Sequence, residues 1–104
     1  MLEANLHQDV VDEFYHARVV IGTTAAKVIA GNIPNAVKGV QLKAAITNAG
    51  IIYIGNSWVT AGGTAATDGT PLSASEGLFV PVKDVSKIHA VASTTNQNLY
   101  WFMV

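Results

Sequence analysis

The chain has 104 residues, half of them hydrophobic and only 12% charged, and its net charge is −1. This length fits one domain, and a net charge near zero argues against nucleic-acid binding. No apolar run approaches the about 20 residues that a membrane-spanning helix needs, so we expect no membrane insertion. The chain has no cysteine, which excludes disulfides and thiolate chemistry. Because charged residues usually make up about a quarter of a domain, the low charge predicts surfaces that other subunits cover.

Residues 1–17 form an acidic leader with four carboxylates and no Lys or Arg, whereas residues 18–104 carry six Lys and Arg against three Asp and Glu. Apolar leader residues recur at every fourth position: Leu2, Leu6, Val10 and Phe14. This period predicts a helical stripe, and an extended arm that orders only against a partner is the alternative, because so short a lone helix is marginal in water. We expect the stripe to be an interface with another subunit, and a helix folded onto its own domain is the alternative. The acidic start of the chain predicts no signal peptide.

The remainder of the chain reads as short strands separated by Gly, Asn, Asp and Pro turn signals. The predicted strands cover residues 19–21, 27–30, 40–46, 51–54, 58–60, 78–82, 88–92 and 99–104. This succession predicts an all-β domain over residues 18–104, a small antiparallel β-sandwich or barrel of six to eight strands.

Three segments carry more specific expectations. Residues 40–46 alternate cleanly and are joined to 51–54 by Thr47-Asn48-Ala49-Gly50, which predicts a β-hairpin. The apolar run 99–104 predicts a central strand that is covered on both faces. Its Tyr100-Trp101-Phe102 triplet lacks interleaved basic residues, so we expect core packing rather than base stacking. The long, weakly patterned segment 55–77 is typical of a functional loop.

No residue pattern predicts catalysis, a metal site or a cofactor. The three histidines, His7, His16 and His89, are scattered, and Gly55-Asn56-Ser57-Trp58-Val59 lacks the second glycine of a nucleophile elbow. We therefore expect a protein that is not an enzyme and binds no cofactor. Trp58 is the most informative single residue, because it is either a lid on the core or an anchor in a partner's pocket.

A succession of short motifs runs from Val19 to the end of the chain. In order, they are Gly22-Thr23-Thr24-Ala25, Gly39-Val40-Gln41-Leu42-Lys43-Ala44, Asn48-Ala49-Gly50-Ile51-Ile52-Tyr53-Ile54-Gly55, Ser57-Trp58-Val59-Thr60, Asp68-Gly69-Thr70-Pro71-Leu72, Glu76-Gly77, Val80-Pro81-Val82 and Ile88-His89-Ala90-Val91-Ala92-Ser93. Their order resembles that of small structural proteins of tailed bacteriophage particles. The acidic leader has no counterpart in this resemblance.

The resemblance implies a virion location and a capsid decoration or cement protein. Its expected partners are further copies of itself, in a homotrimer or another symmetric cluster, and the major capsid protein. A receptor- or glycan-binding module of a tail or fibre is the alternative function, in which Trp58, Tyr53 and the loop 61–70 would form the binding surface. The place of the protein in the virion stays open between head, tail and fibre.

Overall fold

The computed structural model describes residues 14–104, which fold into eight strands arranged as two four-stranded antiparallel sheets. The strands are β1 (His16–Ile21), β2 (Ala26–Lys27), β3 (Val40–Ala44), β4 (Ile52–Gly55), β5 (Thr70–Leu72), β6 (Gly77–Val80), β7 (His89–Ala92) and β8 (Gln97–Met103). A short 3₁₀ helix spans Val85–Lys87, capped by the Asp84 side chain. The predicted all-β sandwich is thereby confirmed.

The strands are paired in a nested manner. The first sheet has the order β1-β8-β3-β6 and the second has the order β2-β7-β4-β5. The first strand pairs with the last, the second with the seventh, the third with the sixth and the fourth with the fifth. An antiparallel ribbon folded over on itself in this way is an eight-stranded jelly roll.

The core fills the space between the two sheets, because each strand turns alternate side chains inward. Its fully buried members come from both sheets and include Val40, Leu42, Ile52, Ala90 and Leu99. The only buried polar residue among residues 14–104 is Gln97, and both polar atoms of its side chain are hydrogen-bonded. Its Oε1 accepts from Gly50 N at 2.8 Å and its Nε2 donates to Thr95 O at 2.8 Å.

The predicted hairpin between β3 and β4 is wrong, because the two strands lie in different sheets. β3 pairs with β6 and β8, and β4 pairs with β5 and β7. The segment between them crosses from one sheet to the other and is tied to the first sheet by Asn48. The Asn48 amide donates to Asn98 O at 2.9 Å and accepts from Asn98 N at 2.8 Å.

Three further strand predictions differ from the structure in their extent. Residues 58–60 form no strand, since Trp58 lies in a turn and Thr60 makes only an isolated bridge to Asp68. β5 was not predicted at all, because Pro71 at its centre resembles a loop signal. β2 ends at Lys27, after which Val28 and Ile29 turn into the core.

The described part of the chain includes the last four residues of the predicted leader, 14–17. β1 begins at His16, so the last two residues of the predicted leader belong to the first sheet. The rest of the predicted helical stripe, Leu2, Leu6 and Val10, lies outside the described residues. Phe14 is described, and it directly precedes the β1 ladder, in which Met103 N donates to Tyr15 O at 3.0 Å.

Candidate functional site

The last strand, β8, is central as predicted, between β1 and β3, but only one of its faces is covered by the described residues. Leu99, Trp101 and Met103 point into the core, and Trp101 is the only core member of the predicted aromatic triplet. Tyr100 and Phe102 lie on the outer side of the sheet, 49% and 39% exposed. The expected cover on both faces of β8 is therefore missing from residues 14–104.

The outward residues of the four strands form one continuous surface, here called the aromatic face. It consists of His16, Arg18, Gln41, Lys43, Phe79, Tyr100 and Phe102. One row across the sheet places Phe102 between His16 and Gln41, with Phe79 beyond Gln41. The next row places Tyr100 between Arg18 and Lys43. Exposed aromatic residues in neighbouring rows are informative, because large apolar patches on monomers often mark interaction sites.

Phe14 adds a further ring at the margin of this face. Its ring centroid lies 5.3 Å from that of His16 and 5.8 Å from that of Phe102, while 65% of the side chain stays exposed. Together with Tyr100 and Lys43, these residues border a shallow depression of about 270 Å³. The structure thus brings one of the predicted interface residues, Phe14, onto the aromatic face.

The aromatic face carries cations and no carboxylate. Arg18 is held in place by a bond from its Nη1 to Asn98 Oδ1 at 3.2 Å, and Lys43 faces solvent. The three Asp and Glu side chains within residues 14–104 accept hydrogen bonds elsewhere, Asp68 from Thr60, Glu76 from Ser73 and Asp84 from Ser86. An occupant of this face would therefore be favoured by negative charge and apolar side chains.

Trp58 belongs to a different surface, the loop 55–70 that joins β4 to β5. Its side chain is 73% exposed, so it does not act as a lid on the core. That role falls to Val59, which is buried against Tyr53 and Val91 beneath the loop. The Trp58 amide is fixed by Asn56, whose Oδ1 accepts from Trp58 N at 2.9 Å.

Asp68 holds the same loop together. Thr60 Oγ1 donates to Asp68 Oδ1 at 2.5 Å and Ala65 N donates to Asp68 Oδ2 at 2.8 Å. These bonds, the one from Thr60 first, hold the pKa of Asp68 below its ordinary value. A depression of about 270 Å³ beside Trp58 is lined by polar groups that include Asn56, Thr67 and Asp68.

Tyr53, which the sequence placed on a binding surface together with Trp58, is instead only 7% exposed. It lies under the loop as part of the small cluster with Val59 and Val91. Tyr53 is buried because β4 is covered on both faces, by the core on one face and by the loop 55–70 on the other.

Two further lysines lie apart from the aromatic face, near the second sheet and beside His89. Lys27, Lys87 and His89 border a cavity of about 380 Å³ together with Asn56 and the serines 57 and 86. Asp84 stands close by, and its pKa is lowered by hydrogen bonds from Ser86 and then by the charges of Lys87 and Lys27. The negative charge of Asp84 offsets part of the positive charge here, unlike on the aromatic face.

Sequence reasoning missed the members of the aromatic face other than Phe14. The signal was present in the alternation of residues 97–103, which places Tyr100 and Phe102 on one side of the strand and Leu99 and Trp101 on the other. Arg18 and Lys43 become neighbours of Tyr100 only through the pairing of β8 with β1 and β3.

Among residues 14–104, no group of three His, Asp or Glu side chains is arranged to hold a metal ion. The same residues include no helix long and apolar enough to cross a membrane. Comparison with known proteins found no match to this chain among protein-family models, curated proteins or solved structures.

Proposed function

We propose that this chain is a structural virion protein, a capsid decoration or cement protein that assembles as a symmetric oligomer and stabilises contacts between capsid subunits. The observation that carries the proposal is the aromatic face, the outer side of the first sheet, on which Tyr100 and Phe102 of the central strand β8 and Phe79 of the edge strand β6 are exposed. Strands of this kind are normally covered on both faces or polar on the outer one. A second subunit would supply the missing cover.

The composition supports the same proposal. The chain is poor in charge, and the exposed aromatic residues are concentrated on one sheet, which suits a subunit whose outer surface is partly buried by neighbours. Symmetry would repeat one such contact around an axis, and many weak contacts add up over a shell. The resemblance to small phage structural proteins favours a trimer on a capsid.

The fold is compatible with this proposal and also with the alternative one. Eight-stranded jelly rolls occur in viral capsid proteins and in lectins, so the fold by itself chooses neither. The choice depends on which surface is used, the aromatic face or the Trp58 loop.

The test has two parts. Mass spectrometry of purified phage particles from the source of this sequence is expected to detect the chain in a fixed ratio to the major capsid protein. The purified protein is then mixed with particles lacking it and sedimented, and it is expected to bind at saturation in that same ratio. A monomer that is absent from particles and does not bind them would contradict the proposal.

The alternative function, binding of a receptor or a glycan, is favoured by one observation. Trp58 is largely exposed beside a depression with several hydrogen-bonding groups, and sugars bind to such combinations of an aromatic ring and polar side chains. Titration of the full chain with host polysaccharide would then change the fluorescence of Trp58. The variant Trp58→Phe, in which the buried Trp101 remains as internal reference, would lose the change.

A further inference from the structure

We infer that the aromatic face binds residues 1–13 of a second copy of the chain. This inference rests on the self-association contained in the proposed function, but not on a location in the virion. The two surfaces in contact would be the acidic segment before Phe14 of one copy and the outer side of the first sheet of another.

Charge complementarity is the first argument. Residues 1–13 contain Glu3, Asp9, Asp12 and Glu13 and no Lys or Arg. The aromatic face has the opposite composition, with Arg18 and Lys43 on either side of Tyr100 and no carboxylate. Of the seven Asp and Glu residues in the chain, four thus lie in one segment, and two of the six Lys and Arg residues lie on the face that it would meet.

Apolar content is the second argument. Between its carboxylates the segment carries Leu2, Leu6 and Val10, which need cover in either a helical or an extended form. The depression bordered by Phe14, Tyr100 and Phe102 offers apolar surface of the matching kind. Aliphatic side chains would occupy this depression while the carboxylates approach Lys43 at its border and Arg18 on the other side of Tyr100.

The geometry of the first strand favours a second copy over the same one. The chain is fixed in the β1 ladder as far as Tyr15, and Phe14 already lies on the margin of its own face. β1 runs from the row of Phe102 towards the row of Tyr100, so a leader that bound Tyr100 of its own sheet would have to reverse the direction of the chain. Thirteen extended residues span at most about 45 Å, which is long enough to reach the same face of an adjacent copy.

A charge-exchange experiment on the full chain tests the inference. One variant reverses the face with Arg18→Glu and Lys43→Glu, and the other reverses the leader with Glu3→Lys, Asp9→Lys, Asp12→Lys and Glu13→Lys. Each variant alone would have like charges at the contact, so its dissociation constant in analytical ultracentrifugation is expected to rise about tenfold or more. A mixture of the two variants has opposite charges wherever the two variants are neighbours, so it is expected to associate more tightly than either variant alone. The matched control, Lys27→Glu with Lys87→Glu, reverses two charges away from the aromatic face, on β2 and on the 3₁₀ helix, and is expected to leave association unchanged.

Cross-linking keeps the inference testable even if a charge-reversed variant fails to fold. A photoreactive phenylalanine analogue replaces Val10 in the otherwise native chain, and unlabelled and ¹⁵N-labelled copies are mixed before irradiation. Cross-links to peptides with Tyr100 or Lys43 that join light to heavy chains are expected. Cross-links confined within one chain, or to other surfaces, would overturn the inference, as would a variant mixture that does not associate.

The two proposals fail in different ways. A chain that binds particles as a monomer would disprove the exchange of leaders and the symmetric oligomer, and would leave the binding to capsids in place. A chain that exchanges leaders but is absent from particles would disprove the virion function and leave the contact in place.

Discussion

The Asn48 side chain makes the two hydrogen bonds to the Asn98 backbone that a neighbouring strand would otherwise make. Its amide donates to Asn98 O and accepts from Asn98 N, just past the point where β3 stops pairing with β8. The sequence had assigned Asn48 to a hairpin turn, because Asn and Gly are frequent there. The side chain that suggested the turn is used instead to hold the crossing segment against the first sheet.

We expect Asn48→Ala to destabilise the protein by about 1–3 kcal/mol, because it leaves the Asn98 N–H without its partner. Urea denaturation followed by circular dichroism measures the change in the free energy of unfolding. The control is Asn32→Ala at an exposed position, which is expected to change it by less than about 0.5 kcal/mol. Equal effects of the two substitutions would contradict this role of Asn48.

Asp68 predicts a pH dependence of stability. Its pKa in the folded protein lies below the ordinary value of 3.8, so its carboxylate stabilises the fold fully above 3.8, and this contribution is lost as the pH falls through the lowered pKa. We expect the difference in unfolding free energy between the native chain and Asp68→Asn to be largest near neutral pH and to shrink below 3.8. Asp84, whose pKa is also lowered, is common to both chains and does not contribute to the difference. A difference that does not change with pH would refute this account.

At the scale of elements, close contact between β4 and the chain that enters β5 depends on a glycine. A Cβ at Gly69 would lie 2.5 Å from Ile54 O and 2.6 Å from Val59 Cγ2, and the backbone of a buried strand cannot yield. The missing side chain at Gly69 is therefore what allows the loop 55–70 to lie against the second sheet.

We expect Gly69→Ala to lower the free energy of unfolding by about 1–3 kcal/mol through overpacking. Faster amide hydrogen exchange in the loop 55–70 is expected to accompany this loss. Gly22→Ala is the matched control, because nothing lies within 4 Å of a Cβ at Gly22. If Gly69→Ala is as stable as Gly22→Ala, the loop does not depend on this contact.

Strands in which apolar and polar side chains alternate were predictable from the sequence, whereas the strand that a proline interrupts was not. The period of two in β3 and β8 marks both the element and its buried face. The alternation of residues within a strand does not indicate which other strand will pair with it. The sequence therefore predicted that β3 pairs with β4, the next predicted strand along the chain. β5 escaped notice because Pro71 is tolerated at the centre of a strand only on an edge, and being an edge is a property of the sheet.

At the scale of the whole molecule, residues 14–104 contain both sheets and the core between them, so the leader is expected to be dispensable for folding. We predict that the truncated chain 14–104 keeps the circular dichroism spectrum and cooperative unfolding of the full chain. Its mass by light scattering is expected to fall to that of one subunit. Truncation after residue 17 is the less clean experiment, since it also removes His16 and Ala17 from β1. A truncated chain that still forms the native oligomer would contradict the assigned role of the leader.

The candidate site was predictable only in part, for a related reason. The acidic leader and its apolar stripe are visible in the sequence, as is Phe14, because they depend on neighbouring residues along the chain. The surface that they meet is assembled from β1, β3 and β8, whose residues are up to about 80 positions apart, as Arg18 and Asn98 illustrate. Such a surface exists only after the sheet has formed.

The nested pairing also constrains biosynthesis. Among the described residues β1 pairs with β8 alone, so β1 stays without a hydrogen-bonded neighbour from residues 14–104 until Gln97–Met103 have been synthesised. Translation that stops before residue 97 would leave β1 and β3 without β8 and open the core along the first sheet. Such a product would be a substrate for chaperones and proteases rather than a smaller folded protein, and limited proteolysis of a chain ending at residue 96 is expected to degrade it throughout.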